Sequence, residues 1–178
     1  MNFRLANSAD LAAIKEMYTM LISKMNKDGI EIWDNVYPCE IFADDIAKNS
    51  LYILSDENNM VGAFALCESN NGQTHVKWEK DNAKAIYLDR LGVNANFTNQ
   101  GIATQLLNYA CKIASKKGAE YLRLFVIDTN VPAVRLYKKN GFKKAVGSYV
   151  EVIDETLTFV EFGFEKNVTS RRKEEHKS

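Results

Sequence analysis

The sequence predicts a single α/β domain built on one mixed sheet, from three observations. At 178 residues, with 46% apolar and 26% charged, the chain is long enough for one core and has the composition of an ordinary soluble fold. Strand-like and helix-like patterns alternate along it instead of separating into blocks. Residues 84–127 read as strand, polar turn, amphipathic helix and strand, a crossover that makes the two strands parallel and is right-handed.

The elements follow in order. Phe3-Arg4-Leu5 is a short strand, after which Asn7 or Ser8 can cap a helix. Leu11, Ile14, Met17, Tyr18, Leu21 and Met25 recur at helical spacing over residues 9–25. A loop over 26–38 carries Trp33 and Tyr37, either pocket aromatics or a cover for the core. Residues 39–48 predict a second helix, and 51–54 and 60–66 a strand pair with hairpin chemistry at Asp56-Glu57-Asn58-Asn59. Residues 69–84 are polar, with Trp78 the one large apolar group, and 84–93 is the next strand.

The clearest helix spans about 101–117, its stripe formed by Ile102, Ala103, Leu106, Leu107, Ala110, Ile113 and Ala114 and its stop by Lys116-Lys117-Gly118. The nearly unbroken apolar run over 121–127 suits a central strand buried on both faces. Pro132 fits the first turn of a helix that ends at Asn140-Gly141. Residues 142–148 and 158–166 read as a final strand pair joined by a connection over 148–157. In the last strand Val160, Phe162 and Phe164 face one side, Glu161 and Glu165 the other. The domain is expected over residues 1–166, with a disordered polar tail over 167–178.

Lys plus Arg and Asp plus Glu each number 23, a balance that argues against a dedicated nucleic-acid binder. No apolar run approaches the roughly 20 residues of a membrane span, and no secretory signal is visible. Cys39, Cys67 and Cys111 are odd in number and widely spaced, and with His75 and His176 they form no metal spacing, so no metal is expected. The expectation is a reduced, cytoplasmic protein with no membrane or nucleic-acid partner, a homodimer being left open.

The turn Thr98-Asn99-Gln100-Gly101-Ile102-Ala103 joins a strand to a helix start, where free N–H groups and the helix dipole favour phosphate. It is either a phosphate cradle or an ordinary connection. The turn resembles the acyl-CoA motif Gln/Arg-x-x-Gly-x-Gly/Ala of the GNAT superfamily of N-acetyltransferases. Gly101 and Ala103 are kept, whereas Thr98 and Asn99 depart from the pattern. Asn130-Val131-Pro132-Ala133-Val134-Arg135-Leu136-Tyr137-Lys138-Lys139-Asn140-Gly141-Phe142 resembles the superfamily's second motif, Asn-x-x-Ala-x-x-Leu-Tyr-x-x-x-Gly-Phe, at every fixed position.

The resemblance runs in order over nearly all of residues 3–166. It implies a GNAT-like fold: a central mixed sheet of roughly six or seven strands flanked by about four helices, with a strand pair splayed at the cofactor site. It implies acetyl-CoA as cofactor, held by the backbone at Leu91, Gly92 and Val93, by Thr98, Asn99, Gln100, Gly101, Ile102, Ala103 and Thr104, and by Asn130, Ala133 and Tyr137. Asn130 can equally be a helix N-cap. The implied reaction moves the acetyl group to a primary amine of a small molecule by direct attack in a ternary complex. A protein N-terminus or lysine, or a non-catalytic CoA-binding module, are the alternatives. Tyr137 stands where the family carries its thiolate-protonating acid. Asp89, read as sharing a face with Tyr87 and Leu91, is the candidate base. Trp33, Tyr37 and Trp78 are the candidate floor of the acceptor pocket.

Overall fold

The computed structural model describes residues 1–169. The elements are β1 (Asn2–Leu5), α1 (Leu11–Lys27), α2 (Phe42–Ala47), β2 (Leu51–Asp56), β3 (Asn59–Cys67), β4 (Ala85–Val93), α3 (Ile102–Lys116), β5 (Tyr121–Ile127), α4 (Val131–Lys139), β6 (Lys143–Lys144), β7 (Tyr149–Val152) and β8 (Thr158–Asn167). One sheet takes the eight strands in the order β1-β2-β3-β4-β5-β8-β6, with β7 also on β8. Among the described residues its one parallel pair is β4–β5, the crossover through α3.

Each face has its own apolar layer. Ile102, Leu106, Leu107, Ala110 and Ala114 of α3 and Tyr137 of α4 pack on Leu54, Val61, Phe64, Leu88, Leu122, Leu124 and Phe164. On the other face Ile14, Met17 and Tyr18 of α1 and Phe42 of α2 cover Leu51, Ile53, Ala63 and Ala65. Asn7 caps the start of the first helical segment, accepting from Ala9 N at 2.9 Å while Asp10 accepts from Asn7 N at 2.8 Å.

Three features depart from the sequence expectation. The sheet has eight strands, because the final expected pair is three. The 142–148 strand is cut to Lys143–Lys144, Gly147 adopts φ 92, and the expected connection holds β7. Asp154 closes the β7–β8 turn by accepting from Thr156 N and Leu157 N. Second, Tyr87, Asp89 and Leu91 do not share a face. Ala63 and Ala65 pair with Gly92 and Asp89, so β4 holds one extra residue, and Arg90 takes φ 53. This bulge turns Leu91 onto the layer of Leu88, whereas Tyr87 packs with Trp78 on the opposite face. Third, β8 runs through Asn167, and Val168 N donates to Glu120 O, past the expected start of the tail. Residues 170–178 of that tail lie outside the described residues.

Candidate active site

The site begins where β4 and β5 part. They pair only from Ala85↔Tyr121 to Leu88↔Leu124, although β4 continues to Val93 and β5 to Ile127. Beyond the bulge the β4 backbone edge therefore faces an open gap, the splayed pair that the resemblance implies. A cavity of about 1410 Å³ fills this gap and reaches both faces of the sheet. Pockets for one drug-sized ligand run to roughly 1,000 Å³, so this one has room for two reactants.

Two contacts hold the bulge. The Tyr18 hydroxyl donates to Arg90 O and lies 3.3 Å from Ala63 O. The Arg90 guanidinium grips Asp45 through Nε and Nη2, both at 2.8 Å, with both side chains almost fully buried. Gly92 is required here, because a Cβ would stand 2.7 Å from the Tyr18 ring.

One end of the cavity meets α3. Asn99 and Gly101 adopt φ 61 and 75, left-handed geometry, and among the described residues no side chain caps the helix. A Cβ built on Gly101 meets nothing within 4 Å, so the approach to the first amides is open. This fits a cofactor phosphate: backbone N–H donors and the dipole's positive end are uncovered and within the cavity. Thr98, Asn99, Gly101, Ile102, Ala103 and Thr104 line it, as do Leu91, Gly92, Val93, Asn130, Ala133 and Tyr137. Gln100 is not among the lining residues. Thr98 Oγ1 donates to Ala95 O at 3.2 Å, a local turn contact. Asn130 is the N-cap of α4, its side chain accepting from Ala133 N.

Tyr137 is 8% exposed and lines the cavity. Among the described residues no hydrogen bond engages its hydroxyl. Burial, with the Asp89 charge adding to it, pushes the phenol above its ordinary value. It remains protonated, and hence a donor, at neutral pH.

Asp89 borders the cavity, with Arg90 Nη1 3.6 Å from its carboxylate. Burial raises its pKa against the opposing pull of Arg90. Trp33 and Tyr37 line the cavity, and Arg90 Nη1 donates to the Tyr37 hydroxyl at 3.4 Å. Trp78 does not. It is 4% exposed, packs with Val76, Tyr87 and Ala145, donates to Gln73 O and carries the Arg123 guanidinium over its ring at 4.5 Å. Its chain segment folds over β8, where a Cβ on Gly163 would strike the indole, and this places Trp78 in the core and off the acceptor floor.

The sequence reading missed Tyr149, Glu151, Phe159 and Glu161, which line the cavity from one face of the β7–β8 ladder. Burial, then the charge and hydrogen bond of Glu151 and the charge of Asp89, push the Glu161 carboxyl up to about 8. The alternation of Glu161 against Phe162 was visible, but its cross-strand partner needs β7, which had been read as a connection. Lys139 was missed too. It lines the cavity from the end of α4, and the adjacent Asn140 donates to Thr104 Oγ1 of α3 at 3.2 Å.

Comparison with known proteins agrees with this geometry. The model of the Acetyltransferase (GNAT) family matches residues 15–142. YwnH of Bacillus subtilis (strain 168), provisionally named a phosphinothricin acetyltransferase, is 29% identical over 143 residues, 80% of this chain and 83% of its own. An acetyltransferase of the GNAT family from Streptococcus agalactiae 2603 superposes with a TM-score of 0.75 at 17% identity, over 93% of this chain and 94% of its own. Arabidopsis thaliana NAA60, solved with a bisubstrate analogue, superposes with a TM-score of 0.65 at 20% identity, over 93% and 97%. With the family model covering most of the chain, and with the splayed strands and both motifs in place, this protein belongs to the GNAT acetyltransferase family.

Proposed function

We propose that the protein transfers the acetyl group of acetyl-CoA to a primary amine of a small molecule, by direct attack while both are bound. The observation that carries this reading is the single cavity joining the uncapped α3 N-terminus, the unpaired β4 edge, the Tyr137 hydroxyl and Asp89. The pyrophosphate would lie on the α3 amides, with Lys139 the nearby cation. The pantetheine arm would pair along Leu91, Gly92 and Val93 as an added strand.

The attacking amine arrives as an ammonium and must lose a proton. Asp89, its pKa raised by burial, is the better base for that shift and is the group assigned to accept it. The C–N bond then forms at the thioester carbonyl, and the C–S bond breaks. The leaving thiolate takes the Tyr137 proton, and the amide nitrogen gives up its second proton to restore the phenol. The net products are the amide, the CoA thiol and one proton. A raised phenol still serves, because a thiolate released into the same dry surroundings is raised with it.

A small acceptor is supported by the walls around that end. Trp33 and Tyr37 of the loop after α1, and Tyr149, Phe159, Ile153 and Leu157 of the β7–β8 hairpin, enclose it with apolar surface. The test is the melting temperature with acetyl-CoA at saturation. A rise is expected, since a ligand that binds only the native state stabilises it. No rise removes the cofactor site.

A further inference from the structure

We propose that the acceptor carries a second positive charge, and that the Glu151–Glu161 carboxyl pair of the β7–β8 hairpin binds this distal cation while the reacting amine sits between Asp89 and Tyr137. The proposal rests on the acetyl-transfer reading and names the substrate class of that site, a diamine.

The argument starts from register. Tyr149 pairs with Glu161 and Glu151 with Phe159, so the two carboxylates are diagonal neighbours on one ladder face. Like charges so placed destabilise a hairpin unless something lies between them. Burial, then the Glu151 charge, push the Glu161 carboxyl up to about 8, so Glu161 holds its proton at neutral pH and relieves the pair. No described cation serves it. Arg90 is committed to Asp45 and Asp89, and Lys24 to Asp28 at 2.6 Å.

A second, independent observation points to a ligand. Tyr137 is 8% exposed and lines this same cavity, and its hydroxyl, open to the cavity, has no hydrogen-bond partner among the described residues. An amine bound there would occupy the reacting end and leave the carboxylate pair for a second group. Phe125, Tyr149 and Phe159 line the same cavity, with the Phe125 and Tyr149 rings 6.3 Å apart. They suit the methylene stem of a diamine, and their faces favour a cation. An acceptor bearing a carboxylate or phosphinate at this position would meet Glu151, Glu161 and Asp89 as like charges.

The pH dependence follows. The charges that act on Glu161 are Glu151 of β7 and Asp89 of β4, and the other titratable and charged groups lining the cavity are Lys24, Asp28, Glu31, Asp34, Tyr37, Cys67, Arg90, Tyr137, Lys139 and Tyr149. A cation settling on the pair expels the Glu161 proton, so binding strengthens as pH rises toward 8 and releases a proton below it.

The probes are 1,4-diaminobutane, butylamine and glutamate, with acetyl-CoA and thiol release as the readout. In the wild type the diamine's kcat/KM should exceed that of butylamine by at least about tenfold at pH 8, with glutamate slowest, and the ratio should shrink toward pH 6. E151Q and E161Q should bring the ratio near one, leaving the acetyl-CoA melting shift unchanged. Calorimetry on the CoA-loaded protein supplies the same comparison without turnover, with the diamine binding and releasing a proton. A wild type that prefers butylamine or glutamate, or an E151Q/E161Q double variant that keeps the diamine preference, overturns the proposal while the acetyl-CoA melting shift stands. Loss of that shift in the wild type overturns the underlying reading and the proposal with it.

Discussion

Arg90 and Asp45 are joined by two 2.8 Å nitrogen–oxygen contacts, Arg90 in left-handed backbone geometry and Asp45 on α2. The pair fixes a bulge, and the bulge redirects β4 along the gap that holds the candidate site's cavity. Sequence separation between the two is large, so the clamp ties the small α2 helix to β4.

Asp45→Ala leaves a buried guanidinium without its main partner. Removing one member of a buried pair costs about 3–5 kcal/mol. Chemical denaturation should show a loss of this order, and the KM for acetyl-CoA should rise in the protein that remains folded.

Gly92→Ala places a methyl 2.7 Å from the fully buried Tyr18 ring. Overpacking of this kind costs about 1–3 kcal/mol. The paired change Gly92→Ala with Tyr18→Phe should not restore stability, because the ring carbons clash as closely as the hydroxyl. A double variant as stable as Tyr18→Phe alone would show the contact to be slack.

Tyr137→Phe removes the proposed proton donor and keeps the packing against Phe142 and Phe164. Pre-steady-state turnover should fall about 10²-fold, with the acetyl-CoA melting shift retained. Undiminished turnover in a chemistry-limited assay would leave the tyrosine a packing group.

Trp78→Ala and Trp33→Ala should part company. Trp78 is a core residue, and its truncation should cost about 3–5 kcal/mol without selectively raising the acceptor KM. Trp33 borders the cavity, so its loss should raise the acceptor KM at a smaller cost in stability.

Stability should also carry the imprint of Glu161. Its folded value of about 8 lies above the ordinary carboxyl value of roughly 4.3. Between these values the native state holds more protons than the unfolded chain, so this group makes stability fall as pH rises through the window. Glu161→Gln should therefore gain on the wild type at pH 8 and lose that advantage near pH 4, as read from paired denaturation curves.

Much of this architecture was legible in the sequence. Tyr121–Ile127 was placed to the residue, because a strand buried on both faces is a continuous apolar run bounded by turn signals. The α3 start was legible through Gly101, and the two motifs brought Tyr137 and the α3 turn to one site. The bulge at Arg90 was not, since alternation alone cannot register an inserted residue in left-handed geometry. The β7 strand was hidden for a related reason. Its four residues pair only with β8, and the Asp154 turn that sets their register reads locally as a polar loop. Trp78 misled because an aromatic in a polar segment looks the same from sequence whether it faces a ligand or covers Arg123.

Amine-dependent thiol release from acetyl-CoA, with the acetylated amine identified by mass, tests the central claim most directly. The account predicts that thiol and acetylated amine appear in equal amounts, that both fall sharply in Tyr137→Phe, and that a diamine leads the panel. Thiol release that is independent of any amine, while acetyl-CoA still raises the melting temperature, would contradict it.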